Sequence, residues 1–175
     1  IARIFAKCLN CEVNGISPEP CGECDSCREI TEGRFVDLIE VDAASRTKVE
    51  DTRELLEDVQ YAPTRGRFKV YLIDEVHMLS SHSFNALLKT LEEPPAHVKF
   101  VFCTTEPHKL PDTILSRCQR FDFRPIASQA IVNQLASLCK QEAINVEPAA
   151  LHRLANHAHG GMRDAPSLLD QALAL

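Results

Sequence analysis

Three apolar runs of strand length, FVDLIEVDAA (residues 35–44), RFKVYLID (67–74) and VKFVFCTT (98–105), alternate with longer segments whose apolar residues recur every three to four positions. One element cannot satisfy both a two-residue and a 3.6-residue period, so the chain must alternate strand and helix. Alternation at this spacing predicts a doubly wound parallel sheet of the α/β class. The runs themselves have the character of buried strands. In SRTKVEDTRELLEDVQ, Val49, Leu55, Leu56 and Val59 share a helical face, with Ser45 or Thr47 as its start. SSHSFNALLKTLEEPP sets Phe84, Leu87, Leu88 and Leu91 on one face and ends at a Pro-Pro stop. QRFDFRP (119–125) alternates and is expected as an edge strand.

From about Pro125 the strands cease. SQAIVNQLASLCKQEAI, EPAALHRLANHAHGG and MRDAPSLLDQALAL are three helical patterns in succession, with Gly160-Gly161 as a stop. We expect a first domain over residues 1–126 and a small helical domain over 127–175. At 175 residues the chain can bury a core without staples, and no apolar run reaches the ~18 residues of a membrane span. The opening IARIFAKCLNCE has helical apolar spacing at Ile1, Ile4, Phe5, Cys8 and Leu9, without a starting Met or a leader's cleavage site. It reads as a chain cut from something longer. A net charge of −6 excludes a surface coated for general nucleic-acid binding, because counterion release needs basic residues.

Five of the eight cysteines crowd the first 27 residues. Cys11, Cys21, Cys24 and Cys27 are spaced x9, x2, x2, two CxxC steps sharing Cys24, in a Pro- and Gly-containing insertion of about residues 8–30 between helical segments. Four soft donors fill a tetrahedral shell and leave no position for water, so the spacing points to a structural zinc rather than a catalytic one. Redox or unliganded thiols are the plain alternative. Cys8, one turn before Cys11, is an alternative ligand, although its spacing sets it with the apolar face of the first helix. His152, His157 and His159 share no spacing with a cysteine or carboxylate and do not read as a second metal site.

Asp74 and Glu75 end the central run, and in an open parallel sheet ligands bind at the carboxyl ends of strands. Adjacent carboxylates there can divide the work of nucleotide hydrolysis, Asp74 holding a Mg²⁺ shell and Glu75 orienting or deprotonating the attacking water. An acidic strand end can equally be a solvated cap. Thr104 and Thr105 close the next run with hydroxyls suited to a phosphate or its water. Arg117 in ILSRCQRF and Arg163 in GGMRDA are of the type that stabilises charge on a transferring phosphoryl group, or else surface ion-pair partners. His77 fits helix-start packing as well as chemistry.

The ordered set CGECDSCREI, LIEVDAASRTKVEDTRELL, YLIDEVHMLSSHSFNALLKTLEEPP, FCTTEPHKLPDTILSRC and GGMRDAPSLLDQA closely resembles the AAA+ clamp loader ATPases, over essentially the whole chain. The resemblance implies an AAA+ P-loop-type sheet with an inserted zinc module and a helical lid. It implies that Asp74 and Glu75 are the Walker B pair, that Thr105, or else Thr104, is the first sensor, and that Arg163 is the second sensor, on the γ-phosphate in cis. Arg117, framed by Ser116 and Cys118, would be the arginine finger presented to ATP on a neighbouring subunit. Cys11, Cys21, Cys24 and Cys27 match the family's zinc module. ATP, Mg²⁺ and a structural Zn²⁺ are the cofactors implied.

The family's glycine-rich phosphate loop precedes a helix like IARIFAKCLNC, and this chain begins inside that helix. These residues alone are therefore expected to bind ATP poorly. Arg46 and Lys48 resemble the family's contacts to the DNA backbone, with Arg53, Lys89 and Lys109 as weaker candidates; such contacts do not read sequence. The function implied is that of a motor subunit which loads a sliding clamp onto primer-template DNA, in a hetero-oligomeric ring within a cytoplasmic DNA-directed DNA polymerase (nucleotidyltransferase) holoenzyme. The alternatives are a non-hydrolysing scaffold subunit of the same loader and a zinc-stabilised nucleic-acid-binding module.

Overall fold

The structure is a computed structural model that describes residues 1–45 and 49–174, with Val49, Glu50, Asp51 and Arg53 described by their backbone alone. The chain divides into two compact units, Ile1–Arg120 and Phe121–Leu175. In the first unit the helices and strands follow one another as α1 (Ala2–Asn10), α2 (Asp25–Glu32), β1 (Leu38–Asp42), α3 (Val49–Asp58), β2 (Lys69–Asp74), α4 (Ser81–Glu92), β3 (Val98–Phe102) and α5 (Asp112–Leu115). The three strands are parallel in the order β1-β2-β3, with Asp42 beside Asp74 and Ile73 beside Phe102.

β2 is the central strand, and its alternation builds the layers. Val70 faces Ala6 and Leu9 of α1, Ile30 of α2 and Phe35. Ile73 faces the other way, onto Phe84 and Leu87 of α4 and Ile114 of α5. Tyr71, on that same side, packs with Val59 and Val98 and stacks on Phe100 at 5.3 Å between ring centroids. Helices therefore cover both faces of a parallel sheet, as near-continuous apolar strands require. Each fully buried Leu or Phe in these layers stabilises by roughly 1.5–3 kcal/mol. α4 starts at Ser80, whose Oγ accepts the Ser83 N–H at 3.1 Å, and stops before Pro94 and Pro95.

Two buried polar residues lock the strand starts. Asp37, fully buried, accepts the backbone N–H groups of Thr64, Arg65 and Gly66 at 2.7, 2.7 and 2.6 Å. Asn10, at the end of α1, donates to the Phe68 carbonyl at 3.1 Å and accepts the Phe68 N–H at 2.9 Å. Gly66 must lack a side chain, since a Cβ there would lie 2.6 Å from Asn10 Oδ1.

The apolar stripe expected to seat α1 turns largely outward, with Ile1, Ile4 and Phe5 exposed. The helix docks instead through Ala6, Leu9 and Asn10, with Arg3 paired to Glu40 at 2.6 Å on one flank. Residues 119–125 form no strand. Alternation equips a segment for an edge, but pairing needs a partner edge, and the sheet takes up no fourth strand among the described residues. Phe121 and Phe123 are consequently exposed.

The second unit packs α6 (Ser128–Gln141), α7 (Pro148–His157) and α8 (Asp164–Leu173) around Ile131, Leu135, Cys139, Leu151, Ala155, Ala165 and Leu169. Its leading segment is held by the Ile126 N–H, which donates to the Gly160 carbonyl at 3.1 Å. Gly160 has φ +84°, and a Cβ there would collide with the Pro125 side chain. Among the described residues no helix is long and apolar enough to cross a membrane.

Candidate active site and metal centre

At the carboxyl end of β2 the ladder outlasts the strand. The Val76 N–H still bonds the Cys103 carbonyl at 3.0 Å, although a 3-10 turn over Val76–Met78 begins there. Glu75 absorbs the mismatch in a left-handed conformation, φ 48° and ψ 42°. For a non-glycine residue that costs on the order of 1 kcal/mol, and such outliers gather at functional sites. The Glu75 N–H donates to Asp74 Oδ1 at 3.0 Å, which holds the Asp74 carboxylate against the Glu75 backbone. Thr105 donates its hydroxyl to Glu75 Oε2 at 3.2 Å. Asp74, Glu75 and Thr105 thus adjoin one another at the ends of β2 and β3.

Two further residues close the cluster. The His77 side chain, 7% exposed, places Nδ1 2.9 Å from Thr104 Oγ1 and 3.3 Å from Glu75 Oε2, and Nε2 3.2 Å from Glu106 Oε2. Lys109 bonds Glu106 at 2.7 Å, which holds the Glu106 carboxyl below the usual range. Burial, and then the charge of Asp74, push the Cys103 thiol up. Glu106 escaped the sequence reading; its only signal was its place directly after the two threonines that end the third run.

Arg117 is bonded elsewhere. Arg117, just after α5, donates to Glu92 Oε1 at 2.6 Å and to the Thr113 carbonyl at 2.7 Å, the first of these at the end of α4. Arg163 is the exposed N-cap residue of α8, in the helical unit. Arg46 and Lys48 lie outside the described residues, as does the side chain of Arg53.

The cysteine cluster is built between α1 and α2. Sγ atoms of Cys11, Cys21, Cys24 and Cys27 all lie within 4.8 Å of one another. A tetrahedral ion with ~2.3 Å metal–sulfur bonds separates its donors by about 3.8 Å, so this donor set fits zinc with a small contraction. Backbone N–H groups of Asn14 and Cys21 donate to Cys11 Sγ at 3.3 and 3.4 Å. Led by the Cys21 amide, these bonds bring the Cys11 thiol down to about 6. Burial pushes Cys27 up to about 12. At Cys24 burial also acts upward, but hydrogen bonds from the Cys27 and Glu12 amides outweigh it and lower the thiol. Cys8 lies outside this group and away from the core as well: it is half-buried and its thiol donates to the Pro18 carbonyl at 3.7 Å. The cluster is tied to the sheet by Arg65, which pairs with Glu29 at 2.7 Å, and by Arg67, which donates to the Cys11 carbonyl at 2.7 Å.

Comparison with known proteins gives the chain's relatives. Residues 1–127 match the family model described as DNA polymerase III, delta subunit, and residues 130–175 match DNA polymerase III clamp loader subunit, ATPase lid domain. The chain is 67% identical over 174 residues to DNA polymerase III subunit tau of Salmonella typhimurium, covering 99% of this chain and 27% of that protein. It therefore spans about a quarter of that relative's length. Among solved structures, a DNA polymerase III gamma subunit-related protein of Thermotoga maritima superposes with a TM-score of 0.51 at 24% identity, over 72% of this chain and 47% of that one. The RuvB Holliday junction branch migration motor of the same organism superposes with a TM-score of 0.58 at 19% identity, over 78% of this chain and 45% of that one. These two likenesses show the AAA+ fold. With models of one assembly matching both units in succession, the chain belongs to the family of DNA polymerase III clamp loader subunits.

Proposed function

We propose that the chain is the catalytic part of an ATPase motor subunit of the clamp loader, using ATP binding and hydrolysis to place a sliding clamp on primed DNA. The observation that carries this reading is the cluster at the end of β2, where Thr105 bonds a Glu75 held in a strained backbone beside Asp74. Asp74 would hold the Mg²⁺ of the bound nucleotide, whose contribution is to neutralise charge on the phosphates. Glu75 orients the attacking water, and Thr105 reports on the γ-phosphate position. Arg163 serves the same nucleotide from the helical lid over about residues 127–175, and Arg117 serves the nucleotide of a neighbouring subunit. Glu92 holds Arg117 at the surface in the isolated chain. Arg46 and Lys48 contact the DNA backbone. The four cysteines hold a structural zinc that organises the insertion and takes no part in phosphate chemistry. The other loader subunits, the clamp and primer-template DNA are the partners, in the bacterial cytoplasm.

A second reading, a non-hydrolysing scaffold subunit, is favoured by the description of the family model that matches residues 1–127. The two separate cleanly on Glu75→Gln in the full-length protein within its assembly. A motor loses DNA-stimulated ATP turnover while still binding ATP; a scaffold shows no turnover to lose. A Cys24→Ser protein that kept its fold yet lost hydrolysis as completely as Glu75→Gln would refute the separation of zinc from phosphate chemistry.

A further inference from the structure

The His77 ring sits between two carboxylates that come from different strand ends, Glu75 after β2 and Glu106 after β3. Nε2 lies 3.2 Å from Glu106 Oε2. Nδ1 faces Thr104 Oγ1 at 2.9 Å and Glu75 Oε2 at 3.3 Å. A carboxylate only accepts, and Thr104 Oγ1, which accepts the Glu106 N–H at 3.0 Å, keeps a second lone pair, so the Nδ1–H of His77 is shared between Thr104 Oγ1 and Glu75 Oε2. Glu106 is itself anchored by Lys109 at 2.7 Å. The imidazole thus joins the two strand ends through side chains, at a point where β2 and β3 have stopped exchanging regular ladder bonds.

We propose that His77 is a positioning residue for Glu75, fixing the carboxylate against the Thr104–Thr105 end of β3; this rests on the reading of Glu75 as the residue that orients the attacking water. Glu75 is 37% exposed at its side chain, and its carboxylate has one hydroxyl donor, Thr105. A Glu side chain released from its neighbours regains rotamer freedom, which spreads the carboxylate over positions that cannot serve the water. Among the described hydrogen bonds and ion pairs, His77 is joined to Thr104, Glu75 and Glu106 and not to Asp74 or Thr105, the residues assigned to the nucleotide in this unit. Its loss therefore acts on turnover and not on ATP affinity.

The test is steady-state ATP hydrolysis by the full-length chain in its assembly with clamp and primed DNA, comparing His77→Ala, His77→Asn, His77→Gln and Glu75→Gln. A displacement of about 1 Å at a reacting group costs on the order of 100-fold, so His77→Ala should lose roughly 10- to 100-fold in kcat with KM for ATP within about twofold. Asn places an amide where Nδ1 stood and Gln where Nε2 stood, so Asn should restore more of kcat than Gln if the contact with Thr104 and Glu75 is the one that matters. Both variants keep a polar group in the buried site, which preserves a folded protein for the comparison. Unchanged kcat in His77→Ala, a loss confined to KM, or equal rescue by Asn and Gln would overturn the positioning role. Full turnover in Glu75→Gln would instead overturn the reading of Glu75, and the role of His77 with it.

Discussion

Asp37 pins the loop that precedes β2 to the start of β1. Its carboxylate is fully buried and accepts three backbone N–H groups, from Thr64, Arg65 and Gly66, all within 2.7 Å. The loop so pinned carries Arg65 to Glu29 of α2 and Arg67 to the Cys11 carbonyl, so the same carboxylate steadies the cysteine module. Asp37→Ala strands three buried donors at once. A hydrogen bond to a charged group contributes about 1.5–3 kcal/mol, and the three are not additive because a water can enter the vacated space and serve one or two of them. The expected loss is about 3–5 kcal/mol, a large fraction of a domain's stability. Asp37→Asn keeps an acceptor oxygen but turns an NH₂ group toward one of the donors, and should cost about 2–3 kcal/mol. Urea denaturation at fixed pH, followed by far-UV circular dichroism and extrapolated linearly, measures both. A loss below about 1 kcal/mol for Asp37→Ala would show that the loop amides find water at no cost, and the reasoning would fail.

The cysteine cluster predicts opposite pH slopes in chelated, reduced protein. Cys11, lowered to about 6, stabilises the fold above the ordinary thiol value of ~8.5, and that contribution fades as pH falls toward 6. Cys27, raised to about 12, stabilises below ~8.5 and loses its contribution as pH rises toward 12. The urea midpoint should therefore peak near pH ~8.5, with the acid limb flattened in Cys11→Ser and the alkaline limb in Cys27→Ser; a monotonic profile in the parent protein would contradict it. Zinc added at pH ~7.5 should release the Cys27 proton and almost none from Cys11, read with a pH indicator in weak buffer. In the helical unit, Gly160→Ala forces a side chain into φ +84° and onto the Pro125 Cβ. It should cost about 2 kcal/mol or more and speed hydrogen exchange in α6–α8 ahead of β1–β3; unaltered exchange would refute the close approach.

The sheet was legible because its central strand β2 is buried along most of its length and reads as an unbroken apolar run from Val70 to Ile73 that breaks at Asp74. Contacts between distant segments were not. Asp37 sits inside FVDLIEV and looked like one more strand residue, yet β1 begins only at Leu38, because Asp37 turns to collect amides from residues 64–66. Periodicity found α1 but not which face would dock: Asn10 and Arg3, both polar, decide its seat. The alternation of residues 119–125 was real and its pairing was not, since pairing belongs to two segments rather than one. Asp74, Glu75 and Thr105 could be named because strand ends in a parallel sheet converge at one edge. His77 and Glu106 could not be paired in advance, since no spacing rule places a residue after β2 against one after β3.

The claim that this chain carries an ATPase motor is tested most directly by DNA-stimulated ATP hydrolysis of the full-length protein in its assembly, with Glu75→Gln and Arg117→Ala measured beside the parent. The account predicts that both substitutions abolish stimulated turnover while ATP binding survives, Glu75→Gln by removing the group that orients water and Arg117→Ala by withdrawing a charge from a neighbour's nucleotide. Turnover absent from the parent, or indifferent to both changes, would make the chain a scaffold and the carboxylates at the end of β2 a structural cap.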